Sequence, residues 1–279
     1  MSCQSTPALD LPCLLTHSQN SRTLVYQSYR AEPWPQWMKR CLNSVQYWAN
    51  NKGYDYRLIG DEFFTLNPGW FNQKVGPRLP ILSDLARLLY AQDALNQYDR
   101  VIWLDADTFI FSPETLTFPD ESYLFGRERW IQQDVRKSKR LKVYRSVCNA
   151  LCLFTKGNPF LPFYIHAIQQ IIQQIDPLKI APQLVGPKLL SALNHAFPLP
   201  TTLLVGSASP LLLHDLANGT DIILNRFEAA LDQQLCAALN LCGSLINHDS
   251  LLNEGVVEKA QDRLLNLQRP LGQFIHPAF

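Results

Sequence analysis

An α/β domain with a mixed, mostly parallel central sheet flanked by helices is the fold class that the sequence predicts. Three observations carry this expectation. Strand-like and helix-like segments alternate from residue 23 onward, the rhythm of parallel strands joined by crossover helices. Residues 100–104 (RVIWL) form an apolar run too short for a helix, which suits a strand covered on both faces. An apolar content of 47% against 18% charged residues, over 279 residues, can bury a large core and argues against extensive disorder.

The elements follow in order. Residues 23–29 (TLVYQSY) read as a first strand. Over residues 36–51, Trp37, Cys41, Val45 and Trp48 recur at helical spacing. Gly53 stops that helix, and residues 54–59 supply a second strand. A loop rich in Pro and Gly spans residues 68–77. A helix over residues 80–95 then carries Ile81, Leu85, Leu88, Leu89 and Leu95 on one side. The strand 100–104 ends at Asp105-Ala106-Asp107. Beyond it, residues 123–125, 150–154 and 203–205 read as strands, and residues 160–175, 187–196, 227–239 and 256–267 as helices. No repeat or linker breaks the pattern. One domain over residues 23–279 is expected, preceded by a polar leader over residues 1–22.

Composition narrows the function. The net charge is +1, so the domain as a whole is not a polyanion binder, and without a recognised motif no nucleic-acid partner is expected. Seven scattered cysteines (Cys3, Cys13, Cys41, Cys148, Cys152, Cys236 and Cys242) form no CxxC pair, which argues for reduced thiols in a reducing, cytoplasmic compartment. The leader lacks the basic start and apolar stretch of a signal peptide. The longest uncharged stretch, residues 189–213, is interrupted by Pro198, Pro200, Gly206 and Pro210, so no transmembrane segment is expected.

Charge is nonetheless uneven. Residues 127–145 hold eight basic and two acidic side chains, a local +6 against −5 for the rest of the chain. Such a run is ordinarily a solvated loop. Functionally it could attract an anionic acceptor, a lipid diphosphate or an acidic membrane surface, giving peripheral contact at the inner membrane face.

The chemistry centres on Asp105 and Asp107. Residues two apart in extended chain point to the same face, so both carboxylates are expected to aim together at the end of a buried strand. Leaving such a pair ionised without a partner costs several kcal/mol per charge. Either one takes up a proton or a cation joins them. Hard divalent cations such as Mn²⁺ or Mg²⁺ take oxygen ligands and share themselves between carboxylates and substrate phosphates. Strand C-terminal ends are also where open α/β sheets bind ligands. An Asp-x-Asp tripeptide alone is common in turns and caps; its place within VIWLDADTFIF is what singles it out.

The blocks SDLARLLY (83–90) and VIWLDADTFIF (101–111) resemble the DxD-containing glycosyltransferases of the GT-A fold, a Rossmann-like domain. The similarity is to the family of initiating mannosyltransferase-like and bacterial capsule and lipopolysaccharide sugar transferases. The resemblance spans roughly residues 23–253. It implies a retaining transfer from a nucleotide-sugar donor to a glycan or lipid-linked acceptor, with Mn²⁺ or Mg²⁺ as cofactor. Asp107 and Asp105 would then ligate the metal, and Tyr26, Gln27, Asp84, Arg87, Gly186 and Pro187 would meet the donor. Asn149 would contact the sugar or acceptor. His248 would be a third metal ligand, with His276 as its competitor. The family usually has a glycine pair before its DxD. Residues 95–100 (LNQYDR) lack it here, so the sugar stays unassigned.

Two other readings compete. VIWLDADTFIF also matches the first motif of haloacid dehalogenase-like phosphatases, with Asp105 as nucleophile, Asp107 as acid/base and Thr108 on the phosphate. That family needs a later acidic pair, which is missing downstream. A non-catalytic sugar-nucleotide-binding protein is the other alternative.

Overall fold

The computed structural model describes residues 21–134, 137–246 and 248–272. The leader expected over residues 1–22, with Cys3 and Cys13, falls outside the described residues up to residue 20. Residue 22 already belongs to the folded part, since the Arg22 main-chain N–H donates to Asp99 Oδ2 at 3.0 Å.

The central sheet has six strands. They are β1 (Thr23–Ser28), β2 (Asp55–Ile59), β3 (Arg100–Leu104), β5 (Tyr123–Asp134), β6 (Lys137–Thr155) and β7 (Thr201–Thr202), in the order β2-β1-β3-β6-β5-β7. Pairing is parallel between β1 and β2, β1 and β3, and β5 and β7, and antiparallel on both sides of β6. Only β6 runs against the rest. The mixed, mostly parallel sheet expected from the sequence is the one found.

Alternation in the strands feeds two cores. Leu24, Tyr26, Val101, Trp103, Cys152 and Phe154 face α3 (Leu79–Ala94) and α4 (Phe160–Gln174) in one apolar cluster. Val25, Ile102, Leu104, Leu151 and Leu153 point the other way, onto Val45, Trp48 and Ala49 of α1 (Gln36–Asn51). Burial on both faces is why the central strands read as continuous apolar runs.

A second sheet has the order β4 (Thr108–Ile110), β9 (Ala238–Asn240), β8 (Val205–Ser207). It is packed by α6 (Pro210–Asn218), α7 (Ile222–Ala230) and α8 (Glu254–Leu267), which share a third cluster with the start of α1. Among the described residues the remaining α-helices are α2 (Gly69–Val75) and α5 (Pro187–Ala196). Among the described residues no helix is long and apolar enough to cross a membrane.

Several expectations need correction. The helix expected over residues 227–239 ends at Ala230, and the apolar run after it becomes β9. A short apolar run has no periodicity to separate helix from strand. The loop expected over residues 68–77 contains α2, and α6 was not anticipated. The largest difference is the basic run. Where it is described it forms the long β5–β6 hairpin rather than a solvated loop, with Trp130 paired to Tyr144 and Gln132 to Lys142.

Candidate active site

The parallel strands β1 and β3 deliver their C-terminal ends to one place. After Leu104 the chain leaves the sheet in a turn, closed by the Thr108 N–H donating to the Asp105 carbonyl at 2.9 Å. The extended geometry expected for Asp105 and Asp107 is therefore corrected to a turn. The two carboxylates still converge, because a third side chain gathers them. Asn240, at the end of β9, directs its amide nitrogen to Asp107 Oδ1 at 2.8 Å and Asp105 Oδ2 at 3.3 Å. The register Thr108↔Asn240 places it there. The Gly243 N–H donates to the other Asp107 oxygen at 2.7 Å. A Cβ on Gly243 would lie 2.8 Å from the Trp37 ring and 3.2 Å from that same oxygen, so glycine is what lets the main chain approach.

Asp105 is fixed from below. Its Oδ1 accepts from Arg87 Nη1 at 3.0 Å and from Trp103 Nε1 at 2.7 Å, and Arg87 lies over the Trp103 ring. Arg87 also donates to the Asn149 carbonyl at 2.6 Å and pairs with Asp84 at 3.2 Å. Asp84 in turn accepts from the Asn149 amide at 2.6 Å. Asp84 and Arg87 are three apart on α3 and side chains only 5–6% exposed, so in this structure they support Asp105 and Asn149 from inside the protein. Tyr26 and Gln27 are wholly buried as well. The Tyr26 hydroxyl donates to the Arg87 carbonyl, and the Gln27 amide to the Asp105 carbonyl.

Asn149 reaches Asp84 because β6 is irregular there. The pairing jumps from Phe125↔Cys152 to Gly126↔Cys148, which releases residues 149–151 from β5. A bulge of this kind re-aims side chains. Gly186 closes the arrangement at the N-cap of α5, with Pro187 in the first turn. A Cβ there would lie 2.7 Å from both Asn149 Nδ2 and Asp84 Oδ2. Only glycine fits.

The electrostatics follow from burial. Asp107 is pushed up to about 6 by loss of solvent and then by the charge of Asp105, against its bonds to Gly243 and Asn240. Burial likewise raises Asp84 to about 6, opposed by Arg87 and the Asn149 amide. Burial also disfavours the Arg87 charge, but Asp105 and Asp84 outweigh it and hold the guanidinium protonated.

Above Asp105 and Asp107 lies a cleft of about 510 Å³, walled by Glu128, Trp130 and Tyr144 of the hairpin and by Asn240, Cys242 and Leu245. Ser146 donates its hydroxyl to Glu128 on the same wall. His248 is exposed, and the structure does not gather it with the carboxylates. Among the described residues, no three His, Cys, Asp or Glu side chains converge to hold a metal. His276 lies outside the described residues. The third group at the pair is Asn240, which sequence reasoning missed. Its only local signal was an Asn closing the apolar run 236–239.

No family model and no curated protein matches the chain. Solved structures do. A glycosyltransferase involved in glycosylation of the major capsid of PBCV-1 has 10% identity and a TM-score of 0.44, covering 87% of this chain and 98% of that one. The galactosyltransferase LgtC, solved with donor and acceptor sugar analogs, has 11% identity and a TM-score of 0.41, over 87% and 95% of the two chains. The apo-form glycosyltransferase GlyE of Streptococcus pneumoniae TIGR4 has 11% identity and a TM-score of 0.39, over 88% of this chain and 62% of its own. Likeness at this level assigns neither a family nor an activity.

Proposed function

We propose that the chain is a metal-dependent glycosyltransferase that moves a sugar from a nucleotide-sugar donor to a glycan or lipid-linked acceptor. The observation that carries this reading is the convergence of Asp105 and Asp107 on the Asn240 amide, at the C-terminal end of β3 and the floor of an open cleft. The donor set fits a hard cation: two carboxylates, with no group of three His, Cys, Asp or Glu side chains among the described residues arranged to hold a softer metal. Two protein carboxylates leave further coordination positions to a diphosphate and water, as Mg²⁺ and Mn²⁺ prefer when they bridge protein and phosphates. When bound, the cation would neutralise charge that develops on the departing diphosphate.

The chain's own residues do the rest. Arg87 and Trp103 orient one oxygen of Asp105, leaving Oδ2 toward the cleft side with Asn240. Gly243 and Asn240 fix both oxygens of Asp107. Pre-oriented ligands of this kind lose little freedom when the donor arrives. The resemblance of the sequence supports retention of anomeric configuration. The phosphatase alternative is less well supported, because the later acidic pair that it needs is missing from the sequence downstream of Asp107.

A donor-hydrolysis screen across UDP-, GDP-, ADP- and CMP-sugars tests the proposal. Turnover with Mn²⁺ on one donor, absent with EDTA and lost in Asp107→Asn, is expected. No metal-dependent turnover on any donor would refute it.

A further inference from the structure

The β5–β6 hairpin holds a second cavity that the carboxylate site does not use. It is a groove of about 650 Å³, where Arg140, Lys142 and Arg145 of β6 meet Arg226 of α7. Among the described residues four cationic side chains line it, against one carboxylate, Asp134. Arg145 is paired with Asp232 at 3.7 Å, and Lys142 lies over the Tyr144 ring. Arg140 and Arg226 are both exposed.

Two features tie the groove to the cleft. Over residues 137–148, β6 pairs with no described strand besides β5, and residues 140–145 of this segment line the groove. Tyr144 lines both cavities, so the cationic groove opens beside the cleft that holds Asp105 and Asp107. The cleft floor is anionic and its neighbour is cationic. A ligand with a neutral sugar end and an anionic tail fits that polarity.

We propose that this groove binds the phosphate groups of a phosphate- or diphosphate-bearing acceptor, whose hydroxyl then reaches past Tyr144 to the donor. The proposal rests on the glycosyltransferase reading for the word acceptor, and on the groove alone for the anion. Guanidinium groups bind phosphate oxygens in pairs, and several of them on one groove suit a diphosphate better than a single phosphate. The competing role for cations on a strand edge is to prevent edge-to-edge aggregation, which needs no ligand.

The experiment uses the full chain in EDTA, with inorganic pyrophosphate as probe in calorimetric titration. Without a cation the carboxylate cleft repels pyrophosphate, so binding reports the groove. Saturable binding is expected, falling as salt rises. It should weaken about tenfold in Arg140→Gln/Arg226→Gln, or about 1.4 kcal/mol, and stay unchanged in Asp107→Asn. Both changed residues are exposed, and the double variant should keep the wild-type circular dichroism spectrum and Tm, which shows that it is folded. Co-sedimentation with phosphatidylcholine vesicles, with and without phosphatidylglycerol, separates the two sources of phosphate. Capture by anionic vesicles that the double variant loses assigns a lipid-borne group, and pyrophosphate binding alone assigns a soluble one. Absent pyrophosphate binding, or equal binding by the double variant, overturns the proposal. Intact groove binding in a protein that hydrolyses no donor overturns the acceptor assignment while leaving the anion site.

Discussion

Gly186→Ala tests how tightly the site's supports are packed. The new methyl would enter 2.7 Å from the Asn149 amide nitrogen, 2.7 Å from Asp84 Oδ2 and 3.1 Å from the Asp84 carboxyl carbon. Neither neighbour can swing aside, because the two are bonded to each other at 2.6 Å and both are buried. Either the N-terminus of α5 retreats or the Asp84–Asn149 pair breaks. Overpacking of this kind costs about 1–3 kcal/mol. At about 2–4 °C per kcal/mol for a domain of this size class, the midpoint of that range lowers Tm by about 4–8 °C. Urea denaturation and calorimetry measure both quantities. Gly69→Ala is the control: nothing lies within 4 Å of its Cβ, and it opens α2 without a positive φ, so it should be neutral or slightly stabilising. Disturbing Asn149 also shifts Arg87 and through it Asp105, so donor turnover should fall along with stability. If Gly186→Ala unfolds within 0.5 kcal/mol of wild type, the close packing of α5 on the pair is wrong.

Four other outcomes are expected. Asp107→Asn should keep its fold by circular dichroism and lose at least about 10²-fold in metal-dependent donor turnover; turnover within threefold of wild type would exclude it as a ligand. For Asp84, the folded pKa of about 6 lies above its ordinary value of 3.8, so its contribution to stability is full below about pH 4 and lost as pH rises through 6. Asp84→Asn should therefore gain on wild type by up to about 2–3 kcal/mol between pH 4 and pH 8, and a pH-independent difference in urea unfolding would refute this. Asn240→Ala removes the amide shared by both carboxylates, so Asp107 should hold its proton to higher pH and the midpoint of Mn²⁺ binding should move up in pH; an unmoved or lowered midpoint counts against the shared clasp. Cys242 is half-buried, less enclosed than the other described cysteines, and it lines the cleft. Burial and Asp107 raise its thiol, so alkylation should be slow, and peptide mapping should show it slower still with Mn²⁺ and the matching nucleotide diphosphate.

Much of this was legible in the chain where the information is local. Trp37, Cys41, Val45 and Trp48 announce α1 because they share one helical face, and RVIWL announces β3 because both of its faces are covered. Asp105 and Asp107 stood out because acids rarely end such a strand. Their turn geometry did not, since it depends on a bond from Thr108 and on β9. Asn240 was invisible for the same reason: it belongs to a three-residue strand whose partner lies over a hundred residues earlier. The charged hairpin read as loop because its exposed faces carry the composition of solvated chain, while Ile131, Leu141 and Val143 mark the packed side. Tyr26, Gln27, Asp84 and Arg87 were found by resemblance, and their burial could not be read from spacing.

Asp107 meets its two clasping groups from residues 133 and 136 positions further along the chain. The acids and their clasp therefore come from opposite ends of the folding sequence. A growing polypeptide holds both carboxylates long before anything can gather them, and competence arrives only with the closing third of the fold. In the finished protein, a donor bound at that junction would act as a rivet between early and late segments. Hydrogen exchange in β4 and β9 should slow more on donor binding than exchange in β1 or β3.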